Sequence, residues 1–125
     1  AVAGIESRGF IFAAPFAERM GIPLILIRKK GKLPGKTYGC KYDLEYGSAE
    51  VEVHVADIQQ GQNILLVDDL IATGGTLRAA ENLVEQGGAS VVGVFGVIGL
   101  PFLGYEKALA PVQATTLVRY NSEQA

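Results

Sequence analysis

One cysteine, Cys40, is all the thiol that this chain of 125 residues carries, which excludes an intrachain disulfide and suits a reducing compartment. No apolar run approaches the length of a bilayer span, so neither a transmembrane helix nor a membrane partner is expected. No signal or transit peptide is visible, and a cytoplasmic location is expected, although the chain begins without a methionine, inside what reads as a strand. Internal repeats, low-complexity tracts and linkers are absent, so residues 1–125 are read as one domain. Charged residues make up 19% and hydrophobic ones 49%, the balance of a soluble globular protein. The net charge of −2 says little, because it averages over segregated charge and gives no reason to expect a nucleic-acid partner. The single histidine, His54, is assigned no chemistry.

What is present is concentrated between Ile64 and Ala80, ILLVDDLIATGGTLRAA. Ile64 to Val67 is apolar enough for a strand buried on both faces. It is expected to end at two carboxylates, Asp68 and Asp69. Ala72-Thr73-Gly74-Gly75-Thr76 follows, small residues that let the backbone turn tightly and approach a ligand closely. Leu77, Ala80, Leu83 and Val84 then recur at helical spacing, up to Gln86. At the end of such a strand the free N–H groups of the turn point outward together and suit a phosphate, with the Thr73 and Thr76 hydroxyls as extra donors. Two aspartates beside a phosphate need another partner, and sugar hydroxyls or Mg2+ supply one. A ribose 5-phosphate fits both halves. The plain alternative is a strand-to-helix turn capped by Asp and Thr. The loop is not a Walker loop, since no Gly-Lys-Ser/Thr follows, and it holds no GxGxxG.

VDDLIATGGT resembles the phosphoribosyl pyrophosphate signature of the type I phosphoribosyltransferases. Three more stretches resemble the adenine phosphoribosyltransferases within that family: AGIESRGF at Ala3 to Phe10, IRKKGKLPG at Ile27 to Gly35, and LEYG at Leu44 to Gly47. The match runs in order through nearly the whole chain. It implies an open, mostly parallel twisted sheet with flanking helices, of Rossmann-like α/β class, carrying a β-hairpin flap at about residues 36–56. It also implies transfer of the phosphoribosyl group to adenine, giving AMP and diphosphate. Mg2+ would be the cofactor, held mainly by substrate with no direct protein ligand, and a homodimer the assembly. Compared with the family, an N-terminal segment carrying part of the purine pocket is missing.

The resemblance also implies site roles. Asp68 and Asp69 would hold the ribose hydroxyls, and Ala72, Thr73, Gly74, Gly75 and Thr76 the 5-phosphate. Ser7, Arg8 and Gly9, after a strained or cis Glu6-Ser7 peptide, would face the leaving diphosphate. Arg28 and Lys29 would add charge there, with Arg28 reaching a neighbouring subunit. Glu45 would handle a purine proton, Tyr46 would help to close the site, and Arg8 is counted with them as catalytic. Two other readings stay open, a non-catalytic nucleotide-binding regulator of the same fold and a transferase for another purine.

The rest of the chain supplies the frame. Ala1 to Ile5 reads as a buried strand, and Phe10 to Met20 as a helix closed by Gly21, with Pro15 awkward inside it. Glu6 and Ser7 have a plain alternative role as its caps. Leu24 to Ile27 is a second strand. Arg28, Lys29, Lys30, Lys32 and Lys36 then crowd nine residues that hold no acid, where a polyanion would be drawn. Tyr38 to Tyr46 and Ala49 to Ile58 read as a hairpin turning at Gly47-Ser48, a ribbon marginal alone and able to move. Val91 to Leu100 and Thr115 to Tyr120 are further strands around a short helix at Leu103 to Ala110. Gly93, Gly96 and Gly99 suggest close strand packing rather than a dinucleotide fingerprint.

Overall fold

A computed structural model describes residues 1–44 and 46–122. Seven strands form one sheet: β1 (Val2–Ile5), β2 (Leu24–Lys29), β3 (Thr37–Leu44), β4 (Gly47–His54), β5 (Asn63–Ile71), β6 (Ser90–Gly99) and β7 (Ala114–Arg119). Their spatial order is β3-β4-β2-β1-β5-β6-β7. The five strands from β2 to β7 in that order are parallel, and the β3–β4 hairpin adds an antiparallel edge.

Three helices cover this sheet: α1 (Gly9–Met20), α2 (Gly75–Gln86) and the short α3 (Tyr105–Leu109). β1 is buried at all four positions because it lies mid-sheet with helices on both faces. Its alternating side chains divide the core. Val2 packs with Ala13 and Ala17 of α1, while Ala3 and Ile5 belong to the larger cluster with Leu77, Ala80, Leu83 and Val84 of α2. The apolar spacing seen in the sequence is thus the buried face of α2. α1 approaches through small residues instead. A Cβ on Gly4 would stand 2.9 Å from that of Ala13. Pro15 sits inside α1 at an exposed position, where the carbonyl deprived of a donor can turn to water. Gly21, at φ +66°, closes the helix as expected.

Four expectations need correction. β5 does not stop at the carboxylates: it continues through Asp68 and Asp69 to Ile71, because β6 offers pairing partners that far, Asp68 opposite Gly96 and Leu70 opposite Ile98. The hairpin turns before Gly47, not at Gly47-Ser48, since Leu44 pairs with Gly47. Its second arm ends at His54, and Val55–Asp57 form a 3-10 turn. Nor is the ribbon alone. β4 pairs with β2 at Arg28 opposite Glu52 and Lys29 opposite Val51, and Val51 and Val53 are buried in the main core.

Two of the β6 glycines are there for contact. A Cβ on Gly96 would lie 2.6 Å from Ile71 Cγ1, and one on Gly99 2.7 Å from the Tyr105 hydroxyl. The topology leaves a crevice between β1 and β5, where the chain runs from β1 to β2 over one face and from β5 to β6 over the other. Open α/β sheets collect ligands at such a switch point. No helix among the described residues is long and apolar enough to cross a membrane.

Candidate active site

The crevice opens into a cleft of about 520 Å3 lined by Ile5, Glu6, Ser7, Arg8, Lys29, Tyr42, Asp68, Asp69, Leu70 and Thr76. A smaller hollow of about 100 Å3 adjoins it, formed by Asp68 and Leu70 to Leu77. The loop in this hollow takes its shape from Gly74. Its φ is +90°, a conformation L side chains rarely adopt, and a Cβ there would meet Tyr105 at 3.3 Å. α2 begins at the next residue, so its first N–H groups have no acceptor within the helix. Among the described residues, no turn or cap hydrogen bond occupies the N–H of Thr73, Gly74 or Thr76, and Gly75 N–H donates only a long 3.4 Å bond to Thr73 Oγ1. These amides and the helix dipole form a cradle for an anion.

The acid pair stands at its rim. Neither carboxylate is locked into the core, and Asp68 Oδ1 accepts the Asp69 backbone N–H at 2.8 Å. Burial first, and then the hydrogen bond with the Asp69 carboxyl, push the Asp68 pKa up to about 7. Near neutrality Asp68 is therefore poised to lose its proton to a partner that favours the charged form, such as a pair of donating hydroxyls. Asp69 faces a cation, with its Oδ2 2.7 Å from Arg8 Nε.

Opposite these acids lies the turn after β1. The Glu6-Ser7 peptide is cis, as the resemblance implied. Glu6 and Ser7 do not cap α1 through their side chains; Arg8 holds that position, with no side-chain cap hydrogen bond. Glu6 instead spans to β2, where its Oε1 accepts from Arg28 Nε at 3.2 Å and from the Lys29 backbone N–H at 2.9 Å. Burial on its own would raise the Glu6 pKa, but the Lys29 N–H and the Arg28 guanidinium outweigh it and hold the carboxyl below its ordinary value. Gly9 is the point of tightest approach. A Cβ there would lie 2.8 Å from the Val67 carbonyl oxygen and 3.3 Å from Asp68 Cα. Any larger residue would push the Ser7–Arg8 turn off the acid pair.

The structure thus gathers Ser7, Arg8, Lys29, Asp68, Asp69 and Thr76 around one cleft, with Ala72 to Gly75 in the adjoining cradle. Arg28 is not among the lining residues, because its guanidinium is taken by Glu6. Tyr46 stands at the hairpin tip, 93% exposed. Glu45 lies outside the described residues. Two carboxylates and a threonine hydroxyl are hard oxygen donors that suit Mg2+, but among the described residues no three metal-ligating side chains converge. A magnesium ion here would take its remaining ligands from substrate and water.

This geometry agrees with kinship. The profile of the phosphoribosyl transferase domain family matches residues 1–102. The chain belongs to that family. Adenine phosphoribosyltransferase of Treponema denticola is 67% identical over 124 residues, covering 99% of this chain and 65% of the relative. Among solved structures, adenine phosphoribosyltransferase from Thermoanaerobacter pseudethanolicus superposes with a TM-score of 0.92 at 40% identity, over 95% of this chain and 69% of that one. The Saccharomyces cerevisiae enzyme, solved with an imino-altritol bisphosphate and adenine, gives 0.89 at 40%, over 93% and 65%. The chain therefore spans about 65% of the length of the curated relative it matches.

Within this phosphoribosyl transferase domain, two side chains escaped the sequence reading. Glu6 looked like a helix cap, and only the pairing of β1 with β2 brings it to Arg28 and Lys29. Tyr42 carried one available signal. It lies an even number of residues from Tyr38 and so shares its face of the strand. His54 holds the basic loop, with its Nε2 2.8 Å from the Pro34 carbonyl oxygen. Glu52 does the same, accepting from Gly31 N–H and Thr37 Oγ1, each at 2.6 Å.

Proposed function

We propose that this domain transfers the 5-phosphoribosyl group of phosphoribosyl pyrophosphate to adenine, giving AMP and diphosphate. The observation that supports it best is that an acid pair and a cationic turn line one cleft, and an amide cradle forms the hollow that adjoins it. In this reading the 5-phosphate sits on the N–H groups of Ala72 to Thr76. Asp68 and Asp69 accept hydrogen bonds from the ribose hydroxyls. Ser7, Arg8 and Lys29 face the diphosphate, and Gly9, buried against β5, holds the Ser7–Arg8 turn close to the acid pair.

As the C1–O bond breaks, negative charge grows on the leaving diphosphate and positive charge on the sugar. Cations aimed at the diphosphate then stabilise the transition state more than the ground state. Bound Mg2+ would neutralise diphosphate charge, with Asp68 and Asp69 the carboxylates suited to its shell. Glu45, in the LEYG stretch, is proposed to manage the purine proton, and Tyr46 to close the cleft against water. Adenine as acceptor rests on the kinship with adenine phosphoribosyltransferases and on LEYG. A homodimer, a supporting contact from Arg28 and a cytoplasmic setting belong to the same proposal.

The test is conversion of radiolabelled adenine to AMP with Mg2+ and phosphoribosyl pyrophosphate, on this chain and on a version extended to the full length of its relatives. Hypoxanthine and guanine serve as competing acceptors. AMP formation by the extended protein is expected. Donor binding without turnover there would favour a regulator, and preferred use of another purine would move the specificity. Glu45→Gln is expected to lower turnover by about a hundredfold while leaving donor binding within roughly twofold. Equal loss of both would remove the assigned role.

A further inference from the structure

The phosphate cradle is held in shape from behind. Ile71, at its entry, accepts the Leu100 N–H at 2.9 Å, and Gly74, at its bend, accepts the Arg78 N–H at 2.8 Å. Gly74 is buried although it lies in a loop. What stands over it is α3. A methyl group on Gly74 would come within 3.3 Å of Tyr105 Cβ and 3.5 Å of Ala108 Cβ, so no side chain fits between the bend and that helix. Tyr105 and Leu109 in turn belong to the core cluster that includes Leu77 of α2.

α3 has only five residues, too few to hold a helical shape alone, and its last carbonyls lack donors within the helix. The Ala110 N–H returns to Glu106 and the Val112 N–H to Leu109, while Pro111 has no N–H to give, so the Ala108 carbonyl is left over. Arg78 of α2 supplies the donor. Its Nη1 reaches the Ala108 oxygen at 2.6 Å and brings positive charge to the negative end of α3. Arg78 forms no ion pair among the described residues, and it lines neither the cradle hollow nor the cleft. One residue therefore ties down the bend of the cradle through its backbone and the helix behind that bend through its side chain.

We propose that Arg78 is a positioning residue for the ribosyl phosphate: its bond to Ala108 holds α3 against the back of Gly74 and so keeps the amide cradle in its anion-binding shape. This rests on the ribosyl phosphate reading of the cradle. Without that bond α3 moves off Gly74 and the bend gains freedom. A phosphate must then order the loop as it binds, which weakens its affinity. The hydrogen bond carries the effect, not the charge of Arg78 acting across the loop.

The experiment is calorimetric titration of ribose 5-phosphate into the wild-type chain and Arg78→Met, a change at an exposed position that leaves the core intact. Arg78→Met is expected to bind about tenfold more weakly. That ratio should hold within roughly twofold when salt is raised to about 0.5 M, where exposed charges are screened. Hydrogen exchange without ligand should speed up at least about threefold at the Ala108 and Ala110 amides of the variant. In the extended enzyme, Arg78→Met should raise the donor KM by about tenfold and leave kcat within about twofold. A merely structural role would lower the melting temperature and leave the affinity of the folded chain at the wild-type value. That result, a ratio that falls to one at high salt, or weaker binding with Ala108 and Ala110 protection unchanged, would overturn the proposal. Normal wild-type binding with any of these outcomes removes the proposal alone, whereas no binding by the wild type would remove the reading of the cradle with it. Should Arg78→Met fail to fold, Arg78→Ala is read in the same way.

Discussion

Arg8 and Asp69 close on each other across the mouth of the cleft, guanidinium Nε to carboxylate Oδ2 at 2.7 Å. One comes from the turn after β1 and the other from near the end of β5. Each thus holds the other at the position from which a ligand with both hydroxyls and a diphosphate would displace it. The Arg8 side chain is 72% exposed and that of Asp69 23%, so the pair is worth little to stability in water. We expect Arg8→Ala to change stability by less than about 0.5 kcal/mol and to lower kcat/KM of the extended enzyme by about a hundredfold. Asp69→Asn should weaken ribose 5-phosphate binding by roughly tenfold or more. Calorimetric titration and thermal melts separate these effects, and a large melting shift in Arg8→Ala would contradict the first.

Asp68 makes stability depend on pH. Its folded-state pKa, raised to about 7, exceeds the ordinary value of 3.8, so between these values the folded chain holds a proton that the unfolded chain has released. The sign is that stability falls as pH rises from about 4 to 7, and the full penalty is present above 7. Asp68→Asn removes the penalty. It should stabilise the chain at pH 8 by roughly 1 kcal/mol, a few degrees in Tm, and do little at pH 4. It should also weaken ribose 5-phosphate binding. Paired melts at the two pH values check the first part, and equal shifts at both would contradict it.

Gly9 has no room for a methyl group. Its Cβ would stand 2.8 Å from a backbone oxygen, Val67 O, which cannot swing aside as a side-chain tip can. Gly9→Ala is expected to cost roughly 1–3 kcal/mol. It should also weaken ligand binding, because relief requires the Ser7–Arg8 turn and the acid pair to part. A variant of normal stability and normal affinity would show that the approach is looser than described.

Glu6 is a hinge between the cationic strand and the turn. Its pKa is depressed, so the stability it contributes is present above the ordinary value of 4.5 and is lost as pH falls through the lower folded-state value. Glu6→Gln should therefore cost roughly 1 kcal/mol at pH 7 and nothing at strongly acid pH. It should also release Arg28, which Glu6 now holds out of the cleft. Urea melts across pH 3 to 7 read the loss, and an unchanged difference across that range would contradict the assignment.

How much of this was legible depends on how far apart the interacting residues lie in the chain. Strand, acid pair, glycine turn and helix are contiguous from Ile64 to Gln86, so their order and spacing could be read directly, as could the ends of α1 and α2 at Gly21 and Gly87. Where β5 stops was misjudged, since its last residues are strand only because β6 pairs with them. The hairpin looked free-standing because its Val51 and Val53 face could not be assigned a partner before β4 was seen beside β2.

Local chemistry, then, was legible in the sequence alone: which segment turns on small residues ahead of a helix, where two carboxylates stand beside it, and where the cations cluster. These follow from backbone sterics and residue type within a few positions. Only the tertiary structure decided that Arg28 belongs to Glu6, that Tyr42 walls the cleft, and that Asp68 keeps its proton to about pH 7. Those outcomes depend on distance and desolvation between strands brought together by folding, and neither quantity is written in the order of residues along the chain.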